Sequence, residues 1–156
     1  MQTQTVVALA DFSPQTPLER YVEMKAMMPM EKLVVTTRRF NPELSEEEVL
    51  PRADALAQWL ASIPEALKEG RWFQMIETID VVWHSFILHT KDYADFCQHF
   101  YGGFLHHDPP MDFVEDRTAY ADYTLNKIRR AFGDQINPLL EDLSADVKCC
   151  FRYIVE

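Results

Sequence analysis

The chain has 156 residues, of which 47% are hydrophobic, and its 25 acidic and 15 basic side chains give a formal net charge of −10 at pH 7. A chain of this length buries a substantial core within one domain, and its apolar content excludes an intrinsically disordered protein. The negative charge repels phosphate backbones, so we expect no direct nucleic-acid binding, and a basic protein surface is the kind of partner that this charge favours.

The cysteines do not suit a disulfide framework. There are three, Cys97 and the adjacent pair Cys149 and Cys150. Neighbouring cysteines rarely bridge, and one thiol would be left over. The apolar run at residues 6–10 is too short for a signal peptide or a membrane span. We therefore predict a cytoplasmic protein with no membrane segment, while the sequence leaves the oligomeric state open.

The first predicted helix covers residues 17–28. Thr16 supplies an N-cap hydroxyl, Pro17 suits the first helical position, and Glu19 completes a capping box. Residues 1–15 before it are predicted to form an extended arm.

Two more helices are predicted in the first half of the chain. Residues 30–40 contain β-branched side chains that also suit a strand, and we favour a helix. Ser45 and Glu48 form a second capping box, and the helix that follows buries one stripe, with prolines that limit or kink it. The stripe consists of Leu56, Leu60, Ile63 and Leu67, and the prolines are Pro51 and Pro64.

Residues 73–89 are predicted to form the central helix of the fold. At about 100° per residue, their apolar side chains cover a broad arc, which indicates a helix buried on most sides. Asp80 and His84 lie one turn apart on the border of that arc, about 40° from each other, so their side chains can touch.

The next helix begins near Thr90, the predicted N-cap, and ends at Gly102-Gly103. Cys97 falls on its buried stripe, and His99 falls on the opposite, solvated side near Asp92 and Asp95, outside any site. Beyond it we predict helices over residues 112–132, 136–143 and 147–154. The fold class is therefore all-α, a single domain over residues 1–156 with about six or seven helices.

Asp80 and His84 are the first candidate functional pair. A carboxylate one turn before an imidazole can accept its N–H, fix its tautomer and leave the other nitrogen for a metal or a proton. The same pair can also be a structural way to satisfy a buried histidine. Both interpretations remain open at this point.

A metal site is the alternative that histidine clustering suggests. All five histidines lie between His84 and His107. The predicted helix-turn-helix returns Cys97, and then His106 or His107, towards His84, so these side chains are candidate metal ligands. Asp80 would orient the His84 imidazole through a hydrogen bond without binding the metal itself. Adjacent side chains in extended backbone point to opposite sides, so we do not expect His106 and His107 both to face the core.

Such a ligand set favours zinc or another transition metal over magnesium or calcium. His89 can join only if the helix ends near Leu88, because it lies about 140° around the helix from His84. We find no glycine-rich phosphate loop, no G-x-S-x-G elbow and no HExxH motif, so no reaction is indicated.

Residues 72–133 resemble the helical N-terminal region of glycine-rich domain-containing proteins and their small bacterial relatives. The resemblance depends on a D-x-x-W-H segment ending at His84, followed by Tyr93, Cys97 and Tyr101-Gly102. Where many members have a second histidine two residues after the first, this chain has Phe86. The resemblance implies an α-helical domain without a defined biochemical activity.

Two hypotheses of function follow from the sequence. The first is a small acidic interaction module in which the histidine and aspartate cluster is structural. The second is a metal-binding protein, hydrolytic or redox in its chemistry, that uses His84, Cys97 and one of His106 or His107 as ligands.

Overall fold

A computed structural model describes residues 15–108, 117–144, 149–150 and 152–155, with side chains described for residues 15–107 and 119–143. The extended arm predicted before the first helix lies, apart from Gln15, outside the described residues.

The three predicted N-terminal helices are confirmed. They are α1 (Pro17–Met27), α2 (Met30–Phe40) and α3 (Glu46–Lys68), and α1 and α3 both begin with the predicted capping box. In α1 the Glu19 backbone N–H donates to the Thr16 hydroxyl, and the Thr16 N–H donates to the Glu19 carboxylate. These reciprocal bonds satisfy donors that a helix N-terminus leaves unpaired.

The long helix α3 runs through both of its prolines without interruption. Proline cannot donate to the carbonyl one turn earlier, which in the case of Pro64 is the carbonyl of Leu60. The Tyr101 hydroxyl donates to that carbonyl at 2.7 Å and replaces the missing bond. A buried helix can therefore contain a proline here, because a neighbouring side chain supplies the donor.

The helix predicted to be central begins later than expected, and α3 rather than this helix is the centre of the packing. Helix α4 covers Glu77–Leu88, whereas Gln74–Met75 form the short strand β1. The prediction of helix from residue 73 was wrong because tertiary partners hold this segment extended. The Trp59 indole donates to the Gln74 carbonyl at 2.9 Å, and the Gln74 N–H donates to the Thr124 hydroxyl at 2.7 Å.

After α4 the chain forms α5 (Thr90–Tyr101), β2 (Leu105–Asp108) and α6 (Arg117–Phe132). Gly102 ends α5 with a φ of 68°, as predicted. Thr90 is the first helical residue of α5 rather than its cap. The start of the predicted last long helix, residues 112–116, lies outside the described residues.

The predicted helix over residues 147–154 was wrong. Cys149–Cys150 form β3, which pairs antiparallel with β1, and Arg152–Val155 form β4, which pairs antiparallel with β2. The segment is rich in β-branched and aromatic residues, which suit strands when an edge is available for pairing. Upstream, the helix predicted over residues 136–143 is a 3-10 segment, Pro138–Ser144, preceded by another at Gly133–Gln135.

The fold is all-α, a single domain whose six α-helices among the described residues share one core, with two short two-stranded ladders at its margin. Helix α3 contacts α1, α2, α4 and α6 and is the centre of the packing. Helix α4 lies on α3 and places one of its faces beside β2. No helix in the described part of the chain is long and apolar enough to cross a membrane.

Candidate metal centre

Helix α4 fixes the orientation of Asp80 and His84, the first pair that the sequence suggested as functional residues. Ile79, Val82 and Trp83 of α4 are fully buried, so the helix cannot rotate about its axis without exposing apolar surface. Asp80 and His84 lie at the edge of the buried face and approach each other across one turn, with His84 Nε2 at 3.1 Å from Asp80 Oδ2. The predicted contact is present.

Strand β2 brings a second histidine to this pair. His107 Nε2 lies 2.9 Å from Asp80 Oδ1 and 3.0 Å from His84 Nε2. His106, its neighbour, packs its ring against Phe104, with ring centroids 4.7 Å apart. The alternation of side chains along an extended strand therefore sends only His107 to the cluster.

Asp80, His84 and His107 form the one group of three ligand-type side chains in the described part of the chain whose donor atoms lie within 4.8 Å of one another. We call these three residues the triad. The sequence predicted that Asp80 orients His84 from behind without touching an ion, but its carboxylate lies beside both Nε2 atoms, where a direct ligand would be.

Two occupancies of the triad are chemically consistent. When both Nε2 atoms carry a proton, each N–H donates to its own oxygen of the Asp80 carboxylate, and the two imidazole rings lie nearly parallel, inclined by 23° with centroids 4.9 Å apart. When both Nε2 atoms are unprotonated, a cation between the three atoms would accept a lone pair from each of them.

The spacing of the triad atoms also suits a shared ion. Two ligands at the usual zinc–nitrogen distance of about 2.0–2.1 Å lie about 2.8–3.4 Å apart for bond angles between a right angle and the tetrahedral angle. The three separations in the triad are 2.9, 3.0 and 3.1 Å. No large rearrangement would be needed to receive an ion.

The triad is buried on one side and open on the other. The side chains of Asp80 and His107 are 7% and 8% exposed, whereas that of His84 is 57% exposed. A ligand set with two sheltered members and one member at the surface shields an ion from competing solvent on the inner side. It leaves positions on the outer side for water or a small ligand.

Cys97, which the sequence analysis placed among the candidate ligands, is not part of the triad. Its side chain is fully buried and makes hydrogen bonds with Tyr93 and the Leu105 backbone. Burial raises the pKa of the Cys97 thiol to about 11, against the opposing effect of those two hydrogen bonds.

Two other histidines have partners elsewhere. Helix α4 ends at Leu88, as His89 would require to join a site, but His89 Nε2 lies 2.7 Å from the Thr36 hydroxyl. His99 is exposed as predicted, and its partner is Glu23 of α1 rather than the aspartates of its own helix. Neither residue contributes to the triad.

Comparison with known proteins places the chain in a family. A family model described as UCP032817-like matches residues 19–139. The chain belongs to the UCP032817-like family. The UCP032817-like family is uncharacterised, and the matched range contains the whole triad. No curated protein and no solved structure matches the chain. The resemblance to glycine-rich domain-containing proteins stays a hypothesis.

Proposed function

We propose that this protein binds a divalent transition-metal ion through Asp80, His84 and His107. The observation that carries the proposal is the convergence of a carboxylate oxygen and two imidazole nitrogens in the one such group of the described residues, with contacts of 2.9–3.1 Å. In the alternative, the triad is a structural cluster in which both imidazoles donate to the Asp80 carboxylate without an ion.

The donor set indicates the class of ion. Two imidazoles and a carboxylate suit Zn²⁺, Fe²⁺, Mn²⁺ or Co²⁺, and the exclusion of Cys97 argues against a soft ion such as Cu⁺. Two histidines and one carboxylate with open positions occur both in zinc hydrolases and in non-haem iron enzymes. Hydrolytic and redox chemistry both need such open positions, and the identity of the ion decides between them.

The test is metal content in protein purified without an affinity His tag. We expect about one equivalent of metal in the parent protein, measured by inductively coupled plasma mass spectrometry after dialysis. His84→Ala should lose the metal because it removes one of three ligands. Asp80→Asn, which keeps the shape of the side chain but loses its charge, should lower metal occupancy at limiting metal concentration.

The chain offers matched controls for these variants. His89→Ala removes a histidine at the end of the same helix, and His106→Ala removes one on the same strand, yet neither side chain belongs to the triad. Both controls should retain the metal of the parent. A metal-free parent that also fails to take up Zn²⁺, Fe²⁺, Mn²⁺ or Co²⁺ would contradict the proposal.

The charge supports a second proposal, that the protein binds a basic protein surface. We also propose a cytoplasmic location, because the three cysteines do not suit a disulfide framework. A net charge of −10 on 156 residues creates a field that steers cationic partners. Association with such a partner should slow steeply as salt rises, because charges are screened beyond about 8–10 Å near physiological ionic strength. Stopped-flow association rates measured at increasing salt test this proposal, and a rate indifferent to salt would count against it.

A further inference from the structure

The inner face of the metal-ligating candidate His107 rests on an aromatic residue. The His107 and Trp83 ring centroids are 4.2 Å apart, and their planes are inclined by only 17°. Trp83 is fully buried and also contacts Trp59, with ring centroids 5.1 Å apart. Trp83 therefore presents a fixed surface that limits how the His107 imidazole can tilt.

Two hydrogen bonds connect Trp83 to the strand that carries His107. The Trp83 indole N–H donates to the Tyr93 hydroxyl at 3.2 Å, and the Tyr93 hydroxyl donates to the Leu105 carbonyl at 2.5 Å. The phenol oxygen thus accepts the bond from the indole and donates its single proton to the Leu105 carbonyl, beside its contact with the Cys97 thiol. Trp83, Tyr93 and Leu105 are all buried, so water does not compete for these bonds.

Leu105 and His107 are two residues apart in β2, so their side chains lie on the same face of the strand. Fixing the Leu105 carbonyl therefore fixes the depth and register at which His107 reaches Asp80. The indole face then sets the tilt of the His107 ring. One residue of α4 and one of α5 act together on the position of a single imidazole.

We propose that Trp83 and Tyr93 are positioning residues for the metal ligand His107. The proposal rests on the function proposed above, and it explains why a tryptophan beside His84 and a tyrosine ten residues later accompany the triad. Residues that orient a metal-bound histidine usually act by a hydrogen bond to its second nitrogen. Here the orientation comes from the stacked indole and from the anchored backbone of β2.

The experiment compares two tyrosines of the same helix. Tyr93 and Tyr101 are both buried in α5, and each hydroxyl donates to a backbone carbonyl, that of Leu105 or that of Leu60. Each substitution to Phe removes a buried hydroxyl and leaves a backbone carbonyl without that donor, so the unfolding free energy of both variants is measured alongside metal binding. Only Tyr93→Phe removes a hydrogen bond to the strand that carries His107.

Co²⁺ serves as the probe, added to metal-free full-length protein. We expect Tyr93→Phe to weaken Co²⁺ binding about 10–100-fold relative to Tyr101→Phe, the range found for residues that orient metal ligands. The visible absorption spectrum of bound Co²⁺, which reports coordination geometry, should change in Tyr93→Phe and stay as in the parent in Tyr101→Phe. Circular dichroism confirms that both variants are folded.

Substitutions at Trp83 separate stacking from simple packing. Trp83→Phe keeps an aromatic ring against His107, whereas Trp83→Leu does not, so the Co²⁺ spectrum should be altered more in Trp83→Leu. Equal affinities and spectra in Tyr93→Phe and Tyr101→Phe would overturn the positioning role alone. A parent that binds no Co²⁺ overturns the proposed metal site as well, so the two failures are distinguishable.

Discussion

At the scale of single residues, helical spacing and strand alternation predicted more of the site than clustering along the sequence did. The spacing of Asp80 and His84 predicted their contact, and the alternation of His106 and His107 predicted that they would point apart. Cys97 became a candidate because it lies among the histidines in sequence and the predicted helix-turn-helix returns it towards His84. Its place on a buried stripe, also visible in the sequence, is what keeps it out of the triad.

The buried Cys97 thiol gives a testable prediction. With its pKa raised to about 11 from an ordinary value of 9.0, the thiolate fraction at pH 8 falls about 100-fold, before any effect of occlusion. We expect iodoacetamide to modify Cys97 at least that much more slowly in the native protein than in urea, measured by peptide mass spectrometry. Rapid native modification that a divalent metal suppresses would instead indicate that Cys97 is a ligand.

At the scale of elements, capping boxes and apolar periodicity located the helices, and pairing between distant segments decided the rest. Strands β1 and β2 form with segments about 50–75 residues later in the chain, β3 and β4. Periodicity within a short window contains no information about such partners, so the last segment was predicted as a helix. The backbone conformation of a short apolar segment therefore depends more on the segments that pair with it in the fold than on its own sequence pattern.

Three elements meet at Asp54, in the middle of α3. Its carboxylate accepts hydrogen bonds from Tyr21 of α1 and from Asn137, at 2.9 Å, beside the 3-10 segment, and it pairs with Lys25 at 2.8 Å. Burial acts to raise the pKa of Asp54, but the bonds from Lys25, Tyr21 and Asn137 outweigh it and lower the pKa below 3.8. The contacts with Lys25, Tyr21 and Asn137 therefore favour the ionised carboxylate and add to the packing that joins the three elements.

A lowered pKa in the folded state makes the stabilisation by Asp54 fully present above about 3.8, its ordinary value, and lost as the pH falls through the lower folded value. We expect Asp54→Asn to be less stable than the parent at pH 7 and to lose less stability between pH 5 and pH 2. Urea midpoints measured across that range test this prediction. Parallel pH profiles for the two proteins would show that Asp54 does not link the elements through its charge.

At the scale of the whole molecule, the triad joins the helical core to its margin. Asp80 and His84 belong to α4, which packs on α3, while His107 belongs to the β2 and β4 ladder. An ion bound by all three would tie the ladder to the core. The unfolded chain holds no such arrangement, so metal binding would favour the folded state almost without competition.

The resulting prediction concerns the melting temperature of the parent and two variants. A ligand whose free concentration is 100 times its dissociation constant stabilises the folded state by about 2.7 kcal/mol. Zn²⁺ at that concentration should therefore raise the melting temperature of the parent, and a chelator should reverse the rise. His84→Ala, whose side chain is largely exposed, should melt near the metal-free parent and ignore Zn²⁺. His106→Ala should respond to Zn²⁺ as the parent does, because His106 lies on the same strand but outside the triad. Scanning calorimetry with and without chelator measures all three. A parent whose melting temperature is the same in Zn²⁺ and in chelator would leave the triad a structural cluster, since an ion that bound only the folded state could not fail to stabilise it.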